Sequence, residues 1–147
     1  QDAGVDDTAM PPASSEELNA RMRHLVEAIA QDNPELAVDA LLPRDAYVAA
    51  FDAQDPGKVW ERKVGNAFRK QVHAAHKRLK GSERATFVAF EIGKSVVQTT
   101  PRKREWKRAL WRVKRSKVTL AIDGKQLHVD IGEMISWRGA WYVSKLR

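Results

Sequence analysis

The chain has 147 residues, no cysteine and a formal net charge of +7, with 43% hydrophobic and 31% charged residues. That length suits one domain with a core of its own, and the missing thiols exclude disulfides, cysteine nucleophiles and cysteine-bound zinc. No apolar run approaches the roughly 18–20 residues that cross a bilayer. Residues 1–55 hold 12 Asp/Glu against three Lys/Arg, whereas residues 56–147 hold 23 Lys/Arg against seven Asp/Glu. The two halves are therefore expected to attract each other, or the basic half to meet an anionic partner.

Residues 1–13 show no periodicity and read as a disordered, acidic lead rich in Pro, Ala and Ser. Such a spacer after a processed leader points to an extracytoplasmic protein (periplasmic, secreted or lipid-anchored), with a cytoplasmic one as the alternative. The domain proper is placed at 14–147. Ser14 to Glu17 reads as a capping box with Ser14 as N-cap, and Leu18, Met22, Leu25, Val26 and Ile29 form one helical stripe ending near Gln31. Asn33-Pro34 restarts a helix whose face is Leu36, Ala37, Ala40 and Leu41, ended by Pro43. Arg44 to Phe51 makes one or two more turns, with Tyr47, Val48 and Phe51 on one side. Asp55-Pro56 opens the longest helix, which runs to about Leu79 and stops at Gly81. Trp60, Val64, Ala67, Phe68, Val72, Ala75 and Leu79 line its apolar side, with Arg62, Arg69, His73, His76 and Lys80 opposite.

After Gly81 the period changes from 3.6 to 2. Strands are expected over Ala85–Ile92 and Glu105–Arg115, then from Val118 to Ile122 and back from Leu127 to Ile131 through the hairpin signal Asp123-Gly124. Gly132 marks a bulge, and Arg138-Gly139 turns into a last strand, Trp141–Leu146. Helices followed by hairpin-linked strands define an α+β fold, with a long central helix packed on a curved antiparallel sheet of about four strands.

A helix pair, a long amphipathic helix and a meander ending in Gly139-Ala140-Trp141-Tyr142-Val143-Ser144-Lys145-Leu146 resemble the nuclear transport factor 2-like (cystatin-like roll) superfamily over residues 15–147. The stretch 43–57 departs from that pattern, being helical where members place a small strand or hairpin. For members similar to ketosteroid isomerase or scytalone dehydratase, the resemblance implies a carboxylate or histidine in a pocket between helices and sheet. Tyr47, Glu91 and Asp130 are the candidates for such a pocket, although alternation puts Glu91 and Asp130 on the solvent side of their strands.

The densest chemical signal is residues 101–117, with nine cations, one anion and two tryptophans. Arg102, Arg104, Trp106, Arg108, Arg112 and Lys114 are the expected contact surface for an anionic macromolecule or an acidic protein, with Trp106 exposed and Trp111 in the core. A solvated outer strand is the plainer reading of the same residues. His73 and His76 have the i, i+3 spacing of paired ligands, but Lys70, Lys77 and Arg78 flank them and the usual further ligand is missing. No metal, cofactor or catalytic residue is expected. The sequence thus reads as a non-enzymatic binding or accessory domain with a basic surface, able to form a homodimer through its sheet. A small-molecule or lyase/isomerase-type pocket is the alternative, and a nucleic-acid or other polyanion binder the third reading.

Overall fold

In a computed structural model of the chain, residues 9–147 are described. Helix α1 spans Glu16–Gln31, α2 Arg44–Ala50 and α3 Pro56–Trp60; α3 continues through a π-helical stretch, Glu61–Gly65, into α4, Asn66–Arg78. Strands follow as β1 Thr86–Glu91, β2 Val96–Gln98, β3 Trp111–Ile122, β4 Lys125–Trp137 and β5 Ala140–Leu146. The five strands form one antiparallel sheet in the order β1-β3-β4-β5, with β2 beside the start of β3 on the same side as β1. The fold is α+β, and no helix among the described residues is long and apolar enough to cross a membrane.

Local chemistry accounts for most of these boundaries. Ser15, one residue later than expected, caps α1 by accepting the Leu18 amide at 3.0 Å. The Asn33-Pro34 start is real, with Asn33 accepting from the Glu35 amide, but it launches only a 3₁₀ turn, Pro34–Ala37. The next residues instead meet the sheet: Ala40 and Leu42 bond to Val143, pairing the outer edge of β5 at that residue. The other edge is blunted by a bulge between Phe87 and Ala89 and by the shortness of β2. Asp123-Gly124 and Arg138-Gly139 have positive φ at both central residues, the type I′ geometry that suits a right-twisted hairpin.

Leu18, Met22, Leu25, Val26 and Ile29 of α1 join Val64, Phe68, Val72 and Ala75 of the long helix in one core with Val118, Leu120, Val129, Ile131, Trp141 and Leu146. Trp60, Leu79 and Trp111 pack against it half-buried, so Trp111 is a boundary residue and not a core one. Beyond Gly132, where the pairing of β4 with β5 slips, Met134 to Trp137 are all buried. Consecutive burial along a strand means that both faces are covered there. From Lys125 to Asp130 every residue except half-buried Leu127 and buried Val129 is exposed, so one face of that end is open.

Several expectations are corrected. Val48 is 49% exposed, pointing away from buried Tyr47. Pro11 is buried, beside Leu18 and Trp141, so at least one residue of the lead is held by the domain; residues 1–8 lie outside the described residues. His76 is not on an open cationic face, because its Nδ1 is 2.8 Å from the Ile29 carbonyl oxygen and 3.0 Å from Ser82 Oγ. His73 Nδ1 lies 2.8 Å from Asp32, and Arg69 pairs with Glu35 at 3.4 Å. The acidic half does meet the basic half there, through exposed contacts each worth about 0–1 kcal/mol.

Candidate anion-binding groove

Between the exposed and the doubly covered ends of the sheet, β1 gives way to β2. β1 pairs with β3 as far as Glu91 opposite Lys117, and β2 resumes with Val96 opposite Val113. The connection 92–95 must therefore pass residues 114–116 of β3 without pairing as a strand. It does so at Gly93, which is buried, with its amide donating to Ser116 Oγ at 2.9 Å. A β-carbon here would strike the Lys114 carbonyl oxygen and come within 2.8 Å of Val113 Cγ2. At the same point Arg115 takes φ +64, a left-handed conformation in mid-strand. Such a conformation costs an arginine roughly 1–2 kcal/mol; Arg104 and Arg138 share it, but in a loop and a hairpin turn and not within a strand.

The passage leaves an open groove of about 600 Å3 lined by Glu91, Ile92, Gly93, Lys94, Ser95, Lys114, Arg115, Lys117 and Asp130. That volume lies within the roughly 300–1,000 Å3 of ordinary ligand sites. The register sets Glu91, Lys117 and Asp130 side by side across three strands, and Lys117 Nζ lies 3.8 Å from Glu91 Oε1. Lys117 is thus balanced by its neighbours. Glu133 stands opposite Lys114 on β4, but the lining itself sets four cations, Lys94, Lys114, Arg115 and Lys117, against two carboxylates, so the groove carries an excess of positive charge.

Of the six expected contact residues, Arg102, Trp106 and Arg112 line one small pocket with Glu105. Lys114 lines the groove, and Arg102 and Arg104 are exposed on the 99–110 loop, but Arg108 stacks its guanidinium over Trp137. Arg112 is half-buried, its Nε 3.9 Å from Glu133. Trp106 is only 6% exposed and makes edge contacts with Tyr47 and Phe51 at centroid distances of 4.9 and 5.2 Å. The expected strand from Glu105 begins only at Trp111. The preceding loop is pinned by Thr99 to Leu110, by the Phe51–Trp106 bridge and by the Arg104 amide on Asp52.

The candidate pocket is also taken apart. Glu91 and Asp130 come together in the groove on the solvent side, while Tyr47 is buried with the aromatic trio elsewhere. Burial, and then the negative charge of Glu133, push the Tyr47 phenol up to about 12. Glu133 escaped sequence reasoning because alternation fails past the Gly132 bulge; its carboxylate accepts from Ser144 Oγ at 2.7 Å. Lys94 also escaped notice, although Ile92-Gly93-Lys94-Ser95 holds the isolated glycine that marks a close backbone approach. Arg115 and Lys117 belong to the basic stretch 101–117 and join Lys114, one of the six expected contact residues, in the lining. Compared with protein-family models, curated proteins and solved structures, the chain has no match.

Proposed function

We propose that this protein is a binding module that contacts an anionic partner through the groove at the β1–β2 connection. The observation that carries the reading is the placement of Lys94, Lys114 and Arg115 round a groove of ligand size, on a connection packed too closely to admit a side chain at Gly93. A backbone held this closely sets the spacing of the three cations before a partner arrives, which is what separates a site from a solvated charge run. The reading keeps the cystatin-like roll as its frame, supported by the long helix under the sheet and the Trp141-Tyr142 closing strand. In place of a pocket enclosing Tyr47 it has packed aromatic side chains, which favours the outer surface over the small-molecule alternative.

The test is salt-dependent binding to polyglutamate, single-stranded DNA and a sulfated glycan. Replacing Lys94, Lys114 and Arg115 by glutamine should abolish binding to at least one of them. The same change at Arg62, Lys70 and Lys77 on the long helix should leave that binding within about twofold. Three phosphate contacts would give a log–log salt slope of about −2 on single-stranded DNA. Equal loss from both triples would mean undirected attraction to a basic protein and would overturn the reading.

A further inference from the structure

Resting on that reading, we infer that the groove's partner is an acidic protein segment carrying a basic residue among its carboxylates, and not a nucleic acid or a sulfated glycan. The first reason is the mixed charge of the lining. Glu91 and Asp130 flank Lys117 in the same row, with Lys94, Lys114 and Arg115 beyond them. A chain bearing an anion on every unit would have to set some of its charge against Glu91 and Asp130. A peptide can place carboxylates on the three cations and a lysine or arginine against the two carboxylates, so that each charge on both sides is answered.

The second reason is the missing aromatic. Single strands are held by stacking bases on exposed rings as well as by their phosphates. No aromatic residue lines this groove, and the tryptophans of the basic stretch are committed elsewhere, Trp106 in the Tyr47–Phe51 cluster and Trp111 against the core. The third reason is the floor beside the charged row. The next rows across β1, β3 and β4 are Ala89, Thr119 and His128, then Thr86, Ala121 and Gln126. These are mostly short side chains on an open sheet face, over which an extended segment can lie without displacing anything.

The experiment measures fluorescence anisotropy of three probes against the full chain. They are a peptide with three glutamates and one lysine spaced by Ala and Ser, a thymidine oligonucleotide of matched net charge, and a sulfated oligosaccharide. The peptide should bind at least tenfold more tightly than either of the others. The double variant Glu91→Gln/Asp130→Asn, exposed at both positions, should weaken the peptide several-fold and tighten the oligonucleotide. Opposite signs are the signature of a lining matched to mixed charge. If the oligonucleotide or the glycan binds best, or if the double variant tightens all three probes, the inference falls while the groove stands. If none binds in a way that depends on Lys94, Lys114 and Arg115, the groove falls with it.

Discussion

Replacing Gly93 by alanine tests whether the groove rests on a close approach of two chain segments. The added methyl group would strike the Lys114 carbonyl oxygen, lie 2.8 Å from Val113 Cγ2 and sit 3.1 Å from the Lys114 carbonyl carbon. Two of these three atoms are backbone of β3, held there by its pairing with β4, so a rotamer change cannot relieve the clash. Overpacking at such a site costs roughly 1–3 kcal/mol. Backing the 92–95 connection away would also lengthen the buried bond from the Gly93 amide to Ser116 Oγ, adding about 1 kcal/mol. The expected loss is therefore about 2–4 kcal/mol. At roughly 2–4 °C per kcal/mol for a domain near this size, that is a fall of about 4–16 °C in melting temperature. Urea unfolding followed by tryptophan fluorescence reads it directly, and the slope m should stay unchanged. Ser116→Ala, which leaves the Gly93 amide unpaired without a clash, should lose about 1–3 kcal/mol. A Gly93→Ala protein within 0.5 kcal/mol of the parent (about the scatter of neutral surface changes) would refute the close approach, and with it the rigidity claimed for the groove.

Arg115→Gly removes a side chain from a left-handed position and should cost no stability, or add up to about 1 kcal/mol, while weakening the acidic peptide; a loss above 1 kcal/mol would show that the arginine packs structurally. Tyr47 should ionise near pH 12, against 10 for a free phenol, visible as absorbance at 295 nm that Tyr47→Phe abolishes. Because its folded pKa is raised, the unfolded chain gives up the proton first. The stability Tyr47 contributes is thus present below pH 10 and lost between about 10 and 12, at up to ~1.4 kcal/mol per pH unit relative to Tyr47→Phe. A Tyr47 that titrates at 10 would contradict its burial. Trp141→Ala should cost about 3–5 kcal/mol, since the ring is 2% exposed in the shared core, and a loss under 1 kcal/mol in urea would remove it from that core. Truncation after Ala13 should lower the melting temperature by a few degrees through the loss of buried Pro11, and an unchanged midpoint would show that its burial contributes nothing.

Where one physical rule governed a segment, the sequence was readable. The stripes of α1 and of the long helix, the two hairpin turns and the Gly132 bulge each rest on local periodicity or a dipeptide preference, and each is where those rules put it. β2 was missed because Val96-Val97-Gln98 is too short to show a period and is a strand only because β3 lies beside it. Leu41 and Leu42 read as helix, but two hydrogen bonds to Val143 outweigh a weak helical preference. Trp106 was misplaced for a related reason: its flanking charges suggested a wet face, whereas Tyr47 and Phe51, more than fifty residues earlier, supply an apolar slot that no local pattern shows.

The groove illustrates why sites are harder to read than scaffolds. Its residues come from the end of β1, a four-residue connection, the middle of β3 and one position of β4. The sequence points to Lys114, Glu91 and Asp130 among them, the last two as partners of Tyr47, which lies elsewhere. Yet two local irregularities fall within the same groove: a buried glycine between strands and an arginine with positive φ in mid-strand. The glycine follows from the need of two chains to touch. The arginine does not, because a glycine or an asparagine would hold that backbone at lower cost. Arg104 and Arg138 also carry charged side chains at positive φ, but Arg115 alone of the three lies within a strand and lines the groove. Arg115 is therefore the residue at which the two readings of the basic stretch, solvated strand or contact surface, give opposite answers to a single substitution.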